Sequence, residues 1–146
     1  MSIEDDVALL ECVPTLRLLG TTALRMLAIG SEQREFNRGD QLFNAGDEAD
    51  AGYIVQRGAF RVEDGGAEII AGPGDLIGEL ALMVAMKRPS SAVAIEHSTV
   101  IRVSRSLFQR VLESDPAAAR SLRDELASRT SQLASDILMA GAKLGT

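Results

Sequence analysis

The chain is nearly without the residues that carry covalent and metal chemistry. It holds one cysteine, Cys12, so no disulfide can form within it. It holds one histidine, His97, which excludes the His and Cys clusters of zinc and copper sites. With so few ligands and nucleophiles, the usual catalytic constellations are largely ruled out. No apolar run approaches the roughly 20 residues of a membrane span, and the acidic start Met1-Ser-Ile-Glu-Asp-Asp is not a signal peptide. Excess positive charge is missing too: the net charge is -6, the wrong sign for a chain that binds nucleic acid over its whole surface. What remains is 146 residues, the size of one domain, long enough to bury a core without a staple. The expectation is a cytoplasmic, soluble, single-domain protein, and a binding or regulatory module rather than an enzyme.

The ends read as helical and the middle does not. Ile3, Val7 and Leu10, with acids between them, make a short amphipathic pattern that Pro14 interrupts. Thr22 is placed to cap a second short helix with Leu24, Leu27 and Ala28 on one face. From 31 to 104 glycines recur at 39, 46, 52, 58, 65, 66, 72, 74 and 78, which marks frequent turns. Between them lie short runs of strand character: Gln41-Leu-Phe, Tyr53-Ile-Val, Phe60-Arg-Val-Glu, Glu68-Ile-Ile, Ala92-Val-Ala-Ile and Val100-Ile-Arg-Val. Phe60 with Val62, and Val93 with Ile95, set the alternation. Asp64-Gly65-Gly66 signals a hairpin, and His97-Ser98-Thr99 a second one with His97 on the surface. Many short strands with regular turns predict a sandwich or jelly roll. Ser104 then caps a helix holding Leu107, Phe108, Val111 and Leu112. Asp115-Pro116 starts another, with Leu122, Leu126, Leu133 and Ile137 as its stripe and Gly141 at its end.

Two stretches carry more. One is Gly39-Asp-Gln-Leu-Phe-Asn-Ala-Gly46-Asp47-Glu-Ala-Asp50-Ala-Gly-Tyr53-Ile-Val-Gln-Arg-Gly58. The other is Gly74-Asp75-Leu-Ile-Gly78-Glu79-Leu80-Ala81-Leu82, followed by Arg88-Pro-Ser-Ser91-Ala. In this order and spacing the chain resembles a cyclic-nucleotide-binding domain, the sensor half of catabolite activator proteins and of cyclic-nucleotide-gated channels and kinases. The likeness runs from about Phe36 to Leu112.

The resemblance implies a mainly β fold with flanking helices, an eight-stranded double-sheet jelly roll. Residues 1–30 would be N-terminal helices, 31–104 the roll with its phosphate-binding cassette at 74–92, and 105–140 the C-terminal helices. It implies cAMP or cGMP as ligand, no metal and no other cofactor. Gly78, Glu79, Leu80, Ala81, Arg88, Ser90 and Ser91 are the candidate ligand-binding residues, and no residue is a candidate for catalysis. The residue types suit the task. A cyclic phosphodiester is permanently anionic, and Arg88 is a permanent planar cation. A short helix opening near Glu79-Leu80-Ala81 offers backbone N–H groups to an anion. Gly78 lets the backbone approach the sugar-phosphate. Glu79 would accept from the ribose 2′-hydroxyl and so select ribo- over deoxyribo-ligands. Ser90 and Ser91 offer hydroxyls to the phosphate or purine.

One position departs from the pattern. The residue after the cassette arginine usually gives its backbone N–H to the phosphate, and here it is Pro89, which has none. Thirteen of the fifteen basic residues are arginine, so Arg88 takes its meaning from its place in the cassette. The turn-forming glycines need no ligand. Gly72-Pro-Gly74-Asp-Leu-Ile-Gly78 is not a dinucleotide fingerprint, because its third glycine comes one position late and no βαβ unit surrounds it. Gly46-Asp47-Glu48-Ala49-Asp50 is too short for a calcium loop. Met83 and Met86 read as adaptable core, and Cys12 as a small buried hydrophobe. The expectation is therefore a stand-alone sensor with neither a DNA-binding domain nor a channel or kinase region. It would signal through its C-terminal helices to an unidentified effector protein, with a homodimer formed by those helices, and without nucleic acid or membrane. Arg123, Arg129, Thr130 and Gln132 would reach the base or the partner. The alternative is a fold that no longer binds ligand and serves as an interaction scaffold.

Overall fold

The computed structural model describes residues 2–64, 66–125 and 127. Three helices open the chain: α1 (Ile3–Glu11), α2 (Pro14–Arg17) and α3 (Gly20–Gly30). Ser2 starts α1 by accepting the Asp5 N–H at 3.2 Å, and Glu4, Asp5 and Asp6 fill the first turn, where the helix dipole favours negative charge. Pro14 does more than interrupt: it opens α2, where its missing N–H goes unneeded. The cap expected at Thr22 is not used. α3 begins earlier, at Gly20, with no side-chain cap, while Ala23, Leu24, Leu27 and Ala28 form its buried face. Cys12 is exposed rather than buried, because it caps α1 beyond the helix's last buried residue, Leu10.

Among the described residues ten strands follow: β1 (Glu32–Phe36), β2 (Gln41–Phe43), β3 (Glu48–Ala49), β4 (Ala51–Arg57), β5 (Phe60–Asp64), β6 (Ala67–Ala71), β7 (Leu76–Ile77), β8 (Met86–Lys87), β9 (Ala92–Ala94) and β10 (Ser98–Ser104). A 3-10 turn (Glu79–Leu82) lies between β7 and β8, and α4 (Arg105–Ser114) follows β10. Eight of the strands make two four-stranded antiparallel sheets, ordered β1-β10-β4-β7 and β2-β9-β5-β6; β3 and β8 form a separate two-stranded ribbon. This is the expected jelly roll, with the ribbon added where the cassette departs from it.

The hairpin signal at Asp64-Gly65-Gly66 is met by the β5–β6 register, which pairs Asp64 with Ala67. Two other readings change. Ala92 and Ala94, not Val93 and Ile95, are the buried side of β9, since the roll leaves room there only for small side chains opposite Phe60 and Val62. The stretch at 95–97 is no hairpin either: it carries the chain from one sheet to the other.

The core has two parts. Inside the roll lie Phe43, Tyr53, Val55, Phe60, Ala92 and Val100. On the outer side of the first sheet, Ile54, Ile101 and Val103 pack with Leu10, Leu16, Leu24 and Leu27 of the helices and with Phe108 and Val111 of α4. β4 alternates between the two, with Tyr53 and Val55 inward and Ile54 toward the helices. Ser104 caps α4 by accepting the Leu107 N–H at 3.1 Å, as expected. Asp115 accepts the Ala118 N–H at 3.1 Å and starts a helical stretch at 116–125. The expected positions Leu126, Arg129, Thr130, Gln132, Leu133, Ile137 and Gly141 lie outside the described residues.

One corner design occurs three times. In Asn37-Arg-Gly-Asp40, Asn44-Ala-Gly-Asp47 and Gly72-Pro-Gly-Asp75, the aspartate carboxylate accepts the N–H three residues back, at 2.8, 2.9 and 2.8 Å. The glycine before each aspartate has a positive φ, +91°, +92° and +89° in turn, as a tight turn of this kind requires. The acidic run after Gly46 thus begins as a turn: its Asp47 is spent on the backbone.

Candidate functional site

The middle corner positions Arg88. The Gly46 N–H donates to the Arg88 carbonyl at 2.8 Å, and the Arg88 N–H donates to the Asp47 carbonyl at 2.7 Å. The β3–β8 ribbon, pairing Glu48 with Lys87, delivers the chain to this point. From there the Arg88 side chain turns into the roll and is only 5% exposed. Its guanidinium lies over the Phe43 ring, 4.2 Å from the centroid, and 5.6 Å from that of Tyr53. One terminal nitrogen donates to the Ala51 carbonyl at 2.8 Å. The Nε atom is buried with no hydrogen-bond partner. Burial pushes this guanidinium below its ordinary range, Arg102 adds to that, and Tyr53 and Asp50 act against it. An arginine stays charged even so. Among the described residues, the site therefore holds a buried cation with no carboxylate ion-paired to it and donor capacity to spare.

Gly78 sits against this cation. Its φ is +79°, and a Cβ there would come within 2.5 Å of an Arg88 terminal nitrogen. Only glycine meets both conditions. The 3-10 turn begins at the next residue. The Ala81 N–H donates back to the Gly78 carbonyl at 3.1 Å. Ala81 and Leu82 are buried, while Leu80 is 58% exposed. The Glu79 carboxylate accepts a hydrogen bond from the Thr15 hydroxyl of α2. Ser91 is occupied elsewhere: its hydroxyl accepts the Ala45 N–H at 2.8 Å and so joins the middle corner. Ser90 is half-buried in the bend after Pro89. The structure thus brings Gly78 and Arg88 into contact, sets Glu79 beside them in sequence but bonded to α2, and turns the Ser91 hydroxyl toward the corner.

Four participants escaped the sequence reading. Phe43, Tyr53 and Ala51 hold the guanidinium, and nothing in a strand pattern marks an inward aromatic as a cation's seat. The fourth is Arg105, at the first position of α4. One of its terminal nitrogens donates to the carbonyls of Ala49, Ala81 and Val84 at 2.9, 3.2 and 2.9 Å. A cation at a helix N-terminus opposes the dipole. Here it is held by three acceptors, one in β3, one inside the 3-10 turn and one just after it.

Beside the turn, a groove of about 1030 Å³ runs along α4 and the 116–125 stretch, lined among others by Leu82, Met83, Leu112, Leu122 and Arg123. Of the residues expected to reach the base or a partner, Arg123 is described, and it lines this groove. Among the described residues, no cluster of His, Cys, Asp and Glu could hold a metal, and no helix is long and apolar enough to cross a membrane.

The family model for the cyclic nucleotide-binding domain matches residues 33–115. A cAMP-dependent protein kinase regulatory subunit from Yarrowia lipolytica is 31% identical over 107 residues, 73% of this chain and 28% of the relative. A lysophospholipase from Phaeosphaeria nodorum is 29% identical over 143 residues, 94% of this chain and 10% of the relative. The chain thus spans at most 28% of the length of these two curated relatives. A solved structure, described as a cyclic nucleotide-binding-like protein from Brucella abortus, is 37% identical with a TM-score of 0.67, covering 75% of this chain and 98% of that one.

Proposed function

The chain belongs to the cyclic nucleotide-binding domain family, and from that premise we propose that it is a non-enzymatic regulatory module of the cytoplasm that binds cAMP or cGMP in the cassette. The observation that carries this is Arg88. It is a buried cation without a carboxylate counter-ion, with an unpartnered Nε, lying against a glycine that leaves room for no side chain. Such a cation favours an anion that excludes water with it.

Gly78, Glu79, Leu80, Ala81, Arg88, Ser90 and Ser91 are the ligand-binding residues of this proposal. The phosphate takes the guanidinium, and Glu79 takes the ribose 2′-hydroxyl. Output runs through the C-terminal helices. Leu80 is exposed and free to repack, whereas Leu82 is already in the helical core. Arg105 grips the carbonyls of Ala81 and Val84, so a shift of the turn moves the start of α4. Only a ligand that prefers the shifted state drives that movement. A second copy of the chain, or an effector protein, would read the helices.

Isothermal titration with cAMP and cGMP tests the reading, with Arg88→Ala as control. Saturable binding of at least one nucleotide, lost in the variant, is the expected result. No heat with either nucleotide at high micromolar concentration, or unchanged binding in the variant, would sink it. Pro89 favours a second reading, a scaffold that binds no nucleotide. Protein purified without nucleotide, whose melting temperature neither nucleotide raises, is the result that reading requires.

A further inference from the structure

A buried hydroxyl is among the contacts that join the N-terminal helices to the cassette. Thr15 is 2% exposed on α2, between Val13 and Leu16, both in the helical core. Leu82, at the end of the 3-10 turn, belongs to the same apolar cluster. Valine would fill Thr15's place with nearly the same volume and no polar atom. A hydroxyl in such surroundings is costly unless it has an acceptor. Its acceptor is Glu79 Oε1, on a residue far off in sequence.

Resting on the reading that Glu79 takes the ribose hydroxyl, we propose that Thr15 is a positioning residue for nucleotide recognition, holding the Glu79 carboxylate in place for the sugar. The physical case has three parts. Glutamate has several rotatable bonds, and fixing one carboxylate oxygen removes most of that freedom before a ligand arrives. A carboxylate offers about four lone-pair sites on two oxygens, more than the Thr15 bond takes up. Finally, the anchor is rigid: Pro14 sets the start of α2, and the Arg17 N–H returns to the Val13 carbonyl at 3.0 Å. Selection of ribose over deoxyribose then depends on a helix that lies outside the roll.

The test compares wild type, Thr15→Val, Thr15→Ser and Glu79→Gln for cAMP and cGMP against their 2′-deoxy analogues. The readout is the ratio of dissociation constants within each pair. A fraction of misfolded protein scales both constants equally and cancels in that ratio. The expected result is a wild-type preference for the ribonucleotide that falls about tenfold in Thr15→Val, the worth of one charge-assisted hydrogen bond, and returns in Thr15→Ser. An unchanged ratio in Thr15→Val overturns the proposal while leaving the binding site standing. Tighter binding by Thr15→Val also overturns it, since Thr15 would then compete with ligand for the carboxylate. A wild type that binds neither nucleotide, or a Glu79→Gln variant with an undiminished ratio, removes the underlying reading and the proposal with it.

Discussion

Adding one methyl group at Gly78 separates the backbone cost of the cassette from its electrostatic cost. A Gly78→Ala chain must first hold alanine at a φ of +79°, at about 1–2 kcal/mol. The new Cβ also falls 2.5 Å from an Arg88 terminal nitrogen. An exposed arginine would swing aside. This one is 5% exposed, bonded to the Ala51 carbonyl at 2.8 Å and seated on Phe43. Displacing it forfeits a charged hydrogen bond, about 1.5–3 kcal/mol, and part of a cation–π contact. The total loss is then about 3–5 kcal/mol. Gly39→Ala is the matched control, with a φ of +91° and nothing within 4 Å of its Cβ, so it loses the φ cost alone, about 1–2 kcal/mol. Urea denaturation of the three proteins reads the difference directly. At about 2–4 °C per kcal/mol for chains near this size, the melting points of the two variants separate as well. Nucleotide affinity falls with Gly78→Ala and holds with Gly39→Ala. Equal destabilisation by the two variants would refute the claim that Arg88 is locked beneath Gly78.

Two further outcomes are expected. Pro89→Ala restores a backbone N–H beside Arg88, and titration should find cyclic nucleotide bound about 10–100 times more tightly, the worth of one charge-assisted bond; an unchanged constant would show that no N–H is wanted there. Arg105→Met keeps the apolar stem but abandons three carbonyls, so denaturation should show a loss of about 2–4 kcal/mol, and amide exchange should quicken at 79–84 and at the start of α4 more than in the β5–β6 hairpin.

The roll was legible in most strands that carry an apolar side, though not in the two-residue β7 (Leu76–Ile77). Gln41–Phe43 and Phe60–Asp64 stand almost where their patterns place them. β1 was not, because Glu32-Gln-Arg-Glu-Phe36 is an edge strand exposed along most of its length. Charges there guard the edge and erase the alternation a reader looks for. In β9 the alternation shows in Val93 and Ile95, but the roll takes the small alanines between them on its inner side. In the cassette, the motif's spacing singled out Gly78 and Arg88 separately, and their contact with each other is visible only in the folded chain. The Thr15–Glu79 bond and the Arg105 staple join residues far apart in sequence, and no local pattern reports a partner that only the finished packing supplies.

The corner at 44–47 also dictates when the site can come into being. Arg88 is fastened by its own main chain to Gly46 and Asp47, so the cation reaches its seat only after a long loop has closed. The β5–β6 hairpin closes between Asp64 and Ala67 and needs no such search. Loop-closure entropy is spent before distant contacts return anything. Seating Arg88 therefore costs more closure entropy than forming the hairpin does. The seat of Arg88 is thus a long-range feature of the chain, tied across residues 46–88, whereas the hairpin is a local one.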